Sequence, residues 1–144
     1  MELRAITPRE ASIYACLVDA ICAPAGDLPA VRDTTAVSFF DDWIRHAPAL
    51  NRIGFRALLY VCEAGPLLAG YPRRLRRLDR TERQDYLGRI ARSQSTPLKA
   101  ATELLRVSAG LSYYGDTAVM GTLGVHPEEK LRASRELRER EGRP

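Results

Sequence analysis

Catalytic equipment is scarce in this chain. Its 144 residues include two histidines, three cysteines and one tryptophan. No GxSxG elbow presents a serine nucleophile, and no GxGxxG turn or P-loop offers a phosphate cradle. Cys16, Cys22 and Cys62 are odd in number and lack CxxC spacing, which argues against a disulfide framework and against a zinc site. They read as small, buried, reduced thiols. His46 sits near a helix end, where an imidazolium suits the macrodipole, and His126 precedes a proline. An all-α fold permits haem on either, but no CxxCH or second axial ligand is visible. Asp41 and Asp42 are adjacent on a helix, so their side chains diverge; they read as a solvated face, not an acid–base pair. Lysine is nearly absent, and arginine outnumbers it twenty to two. No apolar run approaches the ~20 residues needed to span a bilayer. The start, MELRAITPRE, lacks a hydrophobic signal core and a twin arginine, which sets the expectation of a cytoplasmic protein.

Period-2 alternation and internal repeats are missing too, whereas helix punctuation is abundant. Thr7-Pro8-Arg9-Glu10 is a capping box with proline at the first helical position. Ile13, Leu17, Ala20 and Ile21 follow at helical spacing to about Ala23. A second helix is expected over Thr34–His46, well buried through Val37, Phe40 and Ile44, with Phe39 and Trp43 beside them. A third starts at Pro48, turns Leu50, Ile53, Ala57, Leu58 and Val61 inward, and closes at Gly65-Pro66. Leu78 precedes a second capping box, Asp79-Arg80-Thr81-Glu82, whose helix runs to about Ser93. Thr96-Pro97 opens another helix, with Leu98, Ala101, Leu104, Leu105, Ser108 and Leu111 inward up to Tyr113-Tyr114. Gly115-Asp116 breaks it, with Gly115 as a positive-φ stop, before a short helix to Met120 or Leu123. The expected fold is all-α: a single helical domain (1–126) of about five main helices plus one or two short ones. A charged C-terminal helical extension (127–144) follows, with two leucines and eleven charges.

The net charge of +4 is concentrated in one stretch. Residues 73–92 hold eight arginines against Asp79, Glu82 and Asp85, leaving +5 there and −1 elsewhere. Two readings follow: arginines on an outer helix face partly paired with those carboxylates, or a surface for a protein or nucleic acid. No turn-plus-recognition-helix signature accompanies the run, and only Tyr71 and Tyr86 lie near it, which argues against nucleic acid. A basic nucleic-acid-binding or regulatory protein using Arg73–Arg92 stands as the alternative reading.

The pieces together resemble a known family. Ile6–Glu10 opens like the first helix of the small helical subunit of FAD-dependent gluconate 2-dehydrogenase, and Val18-Asp19-Ala20-Ile21 with Cys22-Ala23-Pro24 resembles that helix's end. Phe39-Phe40 and Arg56-Ala57-Leu58-Leu59 fit the middle helices, and Arg77–Arg83 followed by Tyr86-Leu87 fits the start of the next. Ser112-Tyr113-Tyr114-Gly115-Asp116, then Val119-Met120 and Leu123-Gly124, is the most specific match. The resemblance covers roughly residues 5–125 and extends to small subunits of bacterial glucose, sorbitol and fructose dehydrogenases.

It implies a non-catalytic subunit with no cofactor of its own. That subunit binds and stabilises a large glucose-methanol-choline-type flavoprotein, which holds FAD and oxidises an alcohol or sugar; a cytochrome is one electron acceptor such complexes could use. Many such small subunits carry a twin-arginine export signal. This chain starts directly at the first helix, which implies a cytoplasmic complex. The expected partner-binding residues are Trp43, the cluster Arg73, Arg74, Arg76 and Arg77, and the segment Tyr113, Tyr114, Gly115 and Asp116, in which one tyrosine is expected to pack inward and the other, with the short helix after it, to face the partner.

Overall fold

The computed structural model describes residues 3–126 and, beyond them, Arg132, Arg135 and Leu137. Apart from those three positions, the expected C-terminal extension at 127–144 lies outside the described residues. Among the described residues there are six α-helices and two short 3₁₀ turns and no strand, so the fold is all-α. The helices are α1 (Pro8–Cys22), α2 (Ala36–His46), α3 (Ala49–Leu68), α4 (Arg80–Ala91), α5 (Thr96–Tyr114) and α6 (Thr117–Thr122).

Helix α1 is the centre of the packing, touching α2, α3, α4 and α5. Both reciprocal bonds of its capping box form: Glu10 N–H donates to Thr7 Oγ1 (3.2 Å) and Thr7 N–H to Glu10 Oε2 (2.7 Å). Ile13, Tyr14, Leu17 and Val18 are fully buried. The Tyr14 ring stacks on Phe40 with centroids 3.8 Å apart, and its hydroxyl donates to the Ser108 carbonyl of α5 (3.0 Å) and bonds Ser112 Oγ (2.9 Å). The Asp79–Glu82 box of α4 forms in the same way.

The chain then departs from the expected helix faces. Helix α5 turns Thr102, Leu105, Ser108, Ala109, Ser112 and Tyr113 inward. These side chains are mostly small, so the buried face leaves room for Tyr14 of α1. The buried hydroxyls stay satisfied by bonding carbonyls of their own helix. The bulky Leu98, Leu104 and Leu111, expected inside, are exposed. Helix α3 shows the same inversion. Phe55, Leu59, Cys62, Glu63 and Pro66 are inward, whereas Leu50, Ile53 and Val61 are exposed at 79, 66 and 58%. Helix α2 is half-buried: Phe40 and Ile44 are covered, Phe39 and Trp43 are not.

Several boundaries also shift. Helix α2 begins at Ala36, two residues late, after a 3₁₀ turn at Val31–Asp33. Thr35, its cap residue, gives both its N–H (2.8 Å) and its hydroxyl (2.7 Å) to Asp116. Helix α3 does not stop at Gly65-Pro66. Gly65 is a packing glycine, since a Cβ there would collide with the Tyr86 hydroxyl. The helix runs to Leu68 and ends in a Schellman turn at Gly70 (φ 88°), with Tyr71 N–H on the Pro66 carbonyl (3.0 Å). Gly115 has an ordinary φ of −78°, not a positive one; a Cβ there would lie 2.5 Å from the Leu111 carbonyl oxygen. The left-handed stop comes at Gly124 (φ 68°), which closes α6.

Candidate partner-binding surface

Three parts of the surface hold the residues expected to meet a partner. The first is the junction of α5 and α6. Adjacent tyrosines take opposite roles there, because neighbours on a helix point about 100° apart. Tyr113 is fully buried and its hydroxyl donates to the Pro29 carbonyl (2.7 Å). Tyr114 is 44% exposed, with its ring edge-on to Tyr113 at 5.2 Å between centroids. Asp116 is buried and caps α6 by accepting from Ala118 and Val119 N–H (2.9 and 3.3 Å), besides holding Thr35. Burial alone would raise its carboxyl pKa, but the bonds from Thr35, Val119 and Ala118 outweigh it and hold it below the ordinary range. Tyr113 is thus the tyrosine that packs inward, and Asp116, expected at the partner surface, is also spent inside the chain; together they tie α5 and α6 to the entry of α2. Of this segment, Tyr114 is the aromatic side chain that remains outside.

The second part is an apolar groove between α2 and α5. Phe39 and Trp43 form one wall; Leu104, Val107 and Leu111 form the other, over a cleft of about 80 Å³ floored by Tyr14 and Phe40. Trp43 is 42% exposed and stands edge-on to Phe55 at 4.9 Å. The groove therefore brings Trp43 beside Leu111, one turn before Tyr114. It is small and apolar, and no charged side chain lines it. Tyr14, in its floor, has its hydroxyl pKa raised by burial and stays protonated.

The third part is the arginine stretch, and the structure divides it. Arg76 donates to buried Glu63 through Nε (3.0 Å) and its backbone N–H (3.2 Å). Arg80 and Arg83 both pair with Asp19 of α1, at 2.5 and 3.4 Å. Arg89 lies over the Tyr71 ring, 5.6 Å from its centroid. Arg73, Arg74 and Arg77 are exposed and make no ion pair among the described residues. They line an open cleft of about 750 Å³ with Ser12, Cys16, Glu63 and Leu67. Much of the stretch is thus structural, paired with acids from α1 and α3 and not with the Asp79, Glu82 and Asp85 of its own segment. No lining residue is shared between this cleft and the α2–α5 groove.

Two buried acids escaped the sequence reading. Asp41, expected on a solvated face, is buried and accepts from Arg4, Ala5 and Ile6 N–H at 2.8, 2.9 and 2.8 Å. It anchors the segment that leads into α1. Burial would raise its pKa, but those three bonds and the Arg4 charge lower it overall. Glu63 holds Arg76 in the same spirit. The outward face of α3, whose helical periodicity matches that of a core face, is exposed at Leu50, Ile53 and Val61.

The three thiols are free, and burial pushes Cys22 up to about 11 and Cys62 up to about 12. Neither is a thiolate at neutral pH. His46 bonds the Asp42 carbonyl through Nδ1 (2.8 Å) at the end of α2, and His126 is exposed. Among the described residues no group of three or more His, Cys, Asp or Glu could hold a metal, and no helix is long and apolar enough to cross a membrane. No protein-family model, curated protein or solved structure matches this chain.

Proposed function

We propose that the chain is a non-catalytic accessory subunit that binds and stabilises a FAD-dependent oxidoreductase of the glucose-methanol-choline type acting on an alcohol or sugar. One observation carries the reading: besides the residues they bury, α2, α3 and α5 leave bulky apolar side chains outside, namely Phe39 and Trp43, Leu50, Ile53 and Val61, and Leu104, Val107 and Leu111. Contiguous apolar surface of this kind marks a protein–protein contact. The family resemblance supplies the identity of the partner. FAD and the reacting groups belong to that partner, a cytochrome is one acceptor for its electrons, and a cytoplasmic complex fits the reading. A stable heterodimer buries about 1,200–2,000 Å² in total, and Trp43, Tyr114 and the exposed arginines are suited as anchors.

Co-expression with a glucose-methanol-choline-type flavoprotein of the same organism tests the proposal. The expected result is a co-purified complex whose large subunit is soluble, flavin-loaded and active. A large subunit that is equally soluble and active alone refutes it. Nucleic-acid binding is less well supported, since Arg76, Arg80 and Arg83 are committed to Glu63 and Asp19.

A further inference from the structure

The outward face of α3 has a composition that a solvated helix does not share. Leu50, Ile53, Ala57, Tyr60, Ala64 and Leu67 follow one another at spacings of three and four, the repeat that seats one helix along another. Val61 and Leu68, 92% exposed, widen the stripe. All 20 residues of α3 include just three charges, Arg52, Arg56 and Glu63, and none lies in the stripe.

Each end of the stripe opens into a cleft lined by arginines. At the N-terminal end Arg4, Arg45 and Arg52 surround Ile53 in a cleft of about 340 Å³. At the C-terminal end Arg73, Arg74 and Arg77 line the cleft that contains Leu67. These six make no ion pair among the described residues.

This charge pattern decides what can sit there. A second copy of the chain is disfavoured, because a two-fold pairing of α3 against α3 sets arginines against arginines whether the helices run parallel or antiparallel. The stripe is also too small by itself. A helix of this length spans about 30 Å and covers a band about 10–12 Å wide, well short of the ~800 Å² per partner of a stable interface. The contact therefore extends beyond the stripe, and the arginine clefts adjoin it at both ends. We infer that α3 docks an apolar helical ridge of a different protein, flanked at both ends by carboxylates that enter the two arginine clefts. The inference rests on the accessory-subunit reading and specifies the chemistry of the flavoprotein surface that this chain grips.

The test uses the full chain co-expressed with the flavoprotein, as wild type, as Ile53→Glu with Val61→Glu, and as Arg73→Glu with Arg74→Glu. Circular dichroism and melting of each chain alone confirm folding. Each double variant is expected to lower recovery of the flavoprotein at least roughly tenfold, and the wild-type complex is expected to weaken as salt rises. Full recovery by both variants overturns the inference and leaves the accessory-subunit reading standing. Failure of the wild-type chain to co-purify overturns that reading, and the inference with it. Sedimentation of the wild-type chain alone should show a monomer; a dimer abolished by Ile53→Glu with Val61→Glu would make the occupant a second copy and overturn the inference.

Discussion

Helices α1 and α3 are both apolar, both open near a proline, and carry few charges for their length, yet they have opposite fates. Every bulky residue on the main apolar face of α1 is covered: Ile13, Tyr14, Leu17 and Val18 have no more than 1% exposure. Helix α3 buries Phe55 and Leu59 and presents Leu50, Ile53, Val61 and Leu68 to the outside. Two apolar faces on one helix mean that the domain's own core uses one and the other is left for something else. The difference separates what holds this chain together from what it has available for a partner.

The sharpest way to break the comparison is to truncate one leucine-sized side chain in each helix. Leu17→Ala in α1 should cost about 2–5 kcal/mol by chemical denaturation, because it leaves a cavity in a fully packed site. Ile53→Ala in α3 should change stability by no more than about 0.5 kcal/mol. Equal losses would mean that α3's outward face is core after all.

A smaller effect is expected from the carboxylates that lash the termini of these helices down. Asp41→Ala strips the acceptor from three backbone N–H groups leading into α1 and should cost about 2–3 kcal/mol. The folded pKa values of Asp41 and Asp116 are depressed below the ordinary 3.8. Their contribution is therefore fully present above the unfolded value and is lost as pH falls through the folded one. Stability should drop as pH falls below about 4, and the Asp41→Ala variant should show a shallower drop. Parallel pH profiles would remove Asp41 from this role.

The smallest contrast repeats the comparison between neighbours. Tyr113→Phe loses the bond to the Pro29 carbonyl and should cost about 1 kcal/mol, whereas Tyr114→Phe should be neutral within about 0.5 kcal/mol. Thermal melts of the two variants read this directly.

What the sequence made legible was whatever is decided locally. Both capping boxes, the proline openings and the break after Tyr114 depend on residues three or four apart, and they form where the spacing places them. The all-α class follows from the same signals. Which face of a helix goes inward depends on what packs against it. Helix α5 meets Tyr14, so Ser108 and Ser112 were selected for the inside and Leu104 and Leu111 for the outside. Periodicity marked stripes that were too wide: of the residues expected inward, Leu105 and Ser108 of α5 are buried and Leu58 of α3 is partly so, while Leu98, Leu104, Leu111, Leu50, Ile53 and Val61 are exposed. Asp41 and Asp42 were indistinguishable in sequence because the N–H groups that select Asp41 lie 35–37 residues earlier. Of the residues that residue type nominated for the candidate surface, Trp43, Tyr114, Arg73, Arg74 and Arg77 are exposed, whereas Arg76 is held by Glu63. Tyr113 and Asp116 share the same motif, and only the long-range bonds to Pro29 and Thr35 reveal them as internal.

Hydrogen exchange of this chain, free and in complex with the proposed flavoprotein partner, tests the central claim most directly. Amides along α3 and the second half of α5 should exchange at least about tenfold more slowly in the complex, because an occupied face suppresses local opening, while α1 keeps its free-state rates. An α3 whose exchange is unchanged in a complex that forms would contradict the assignment of its outward face to a partner.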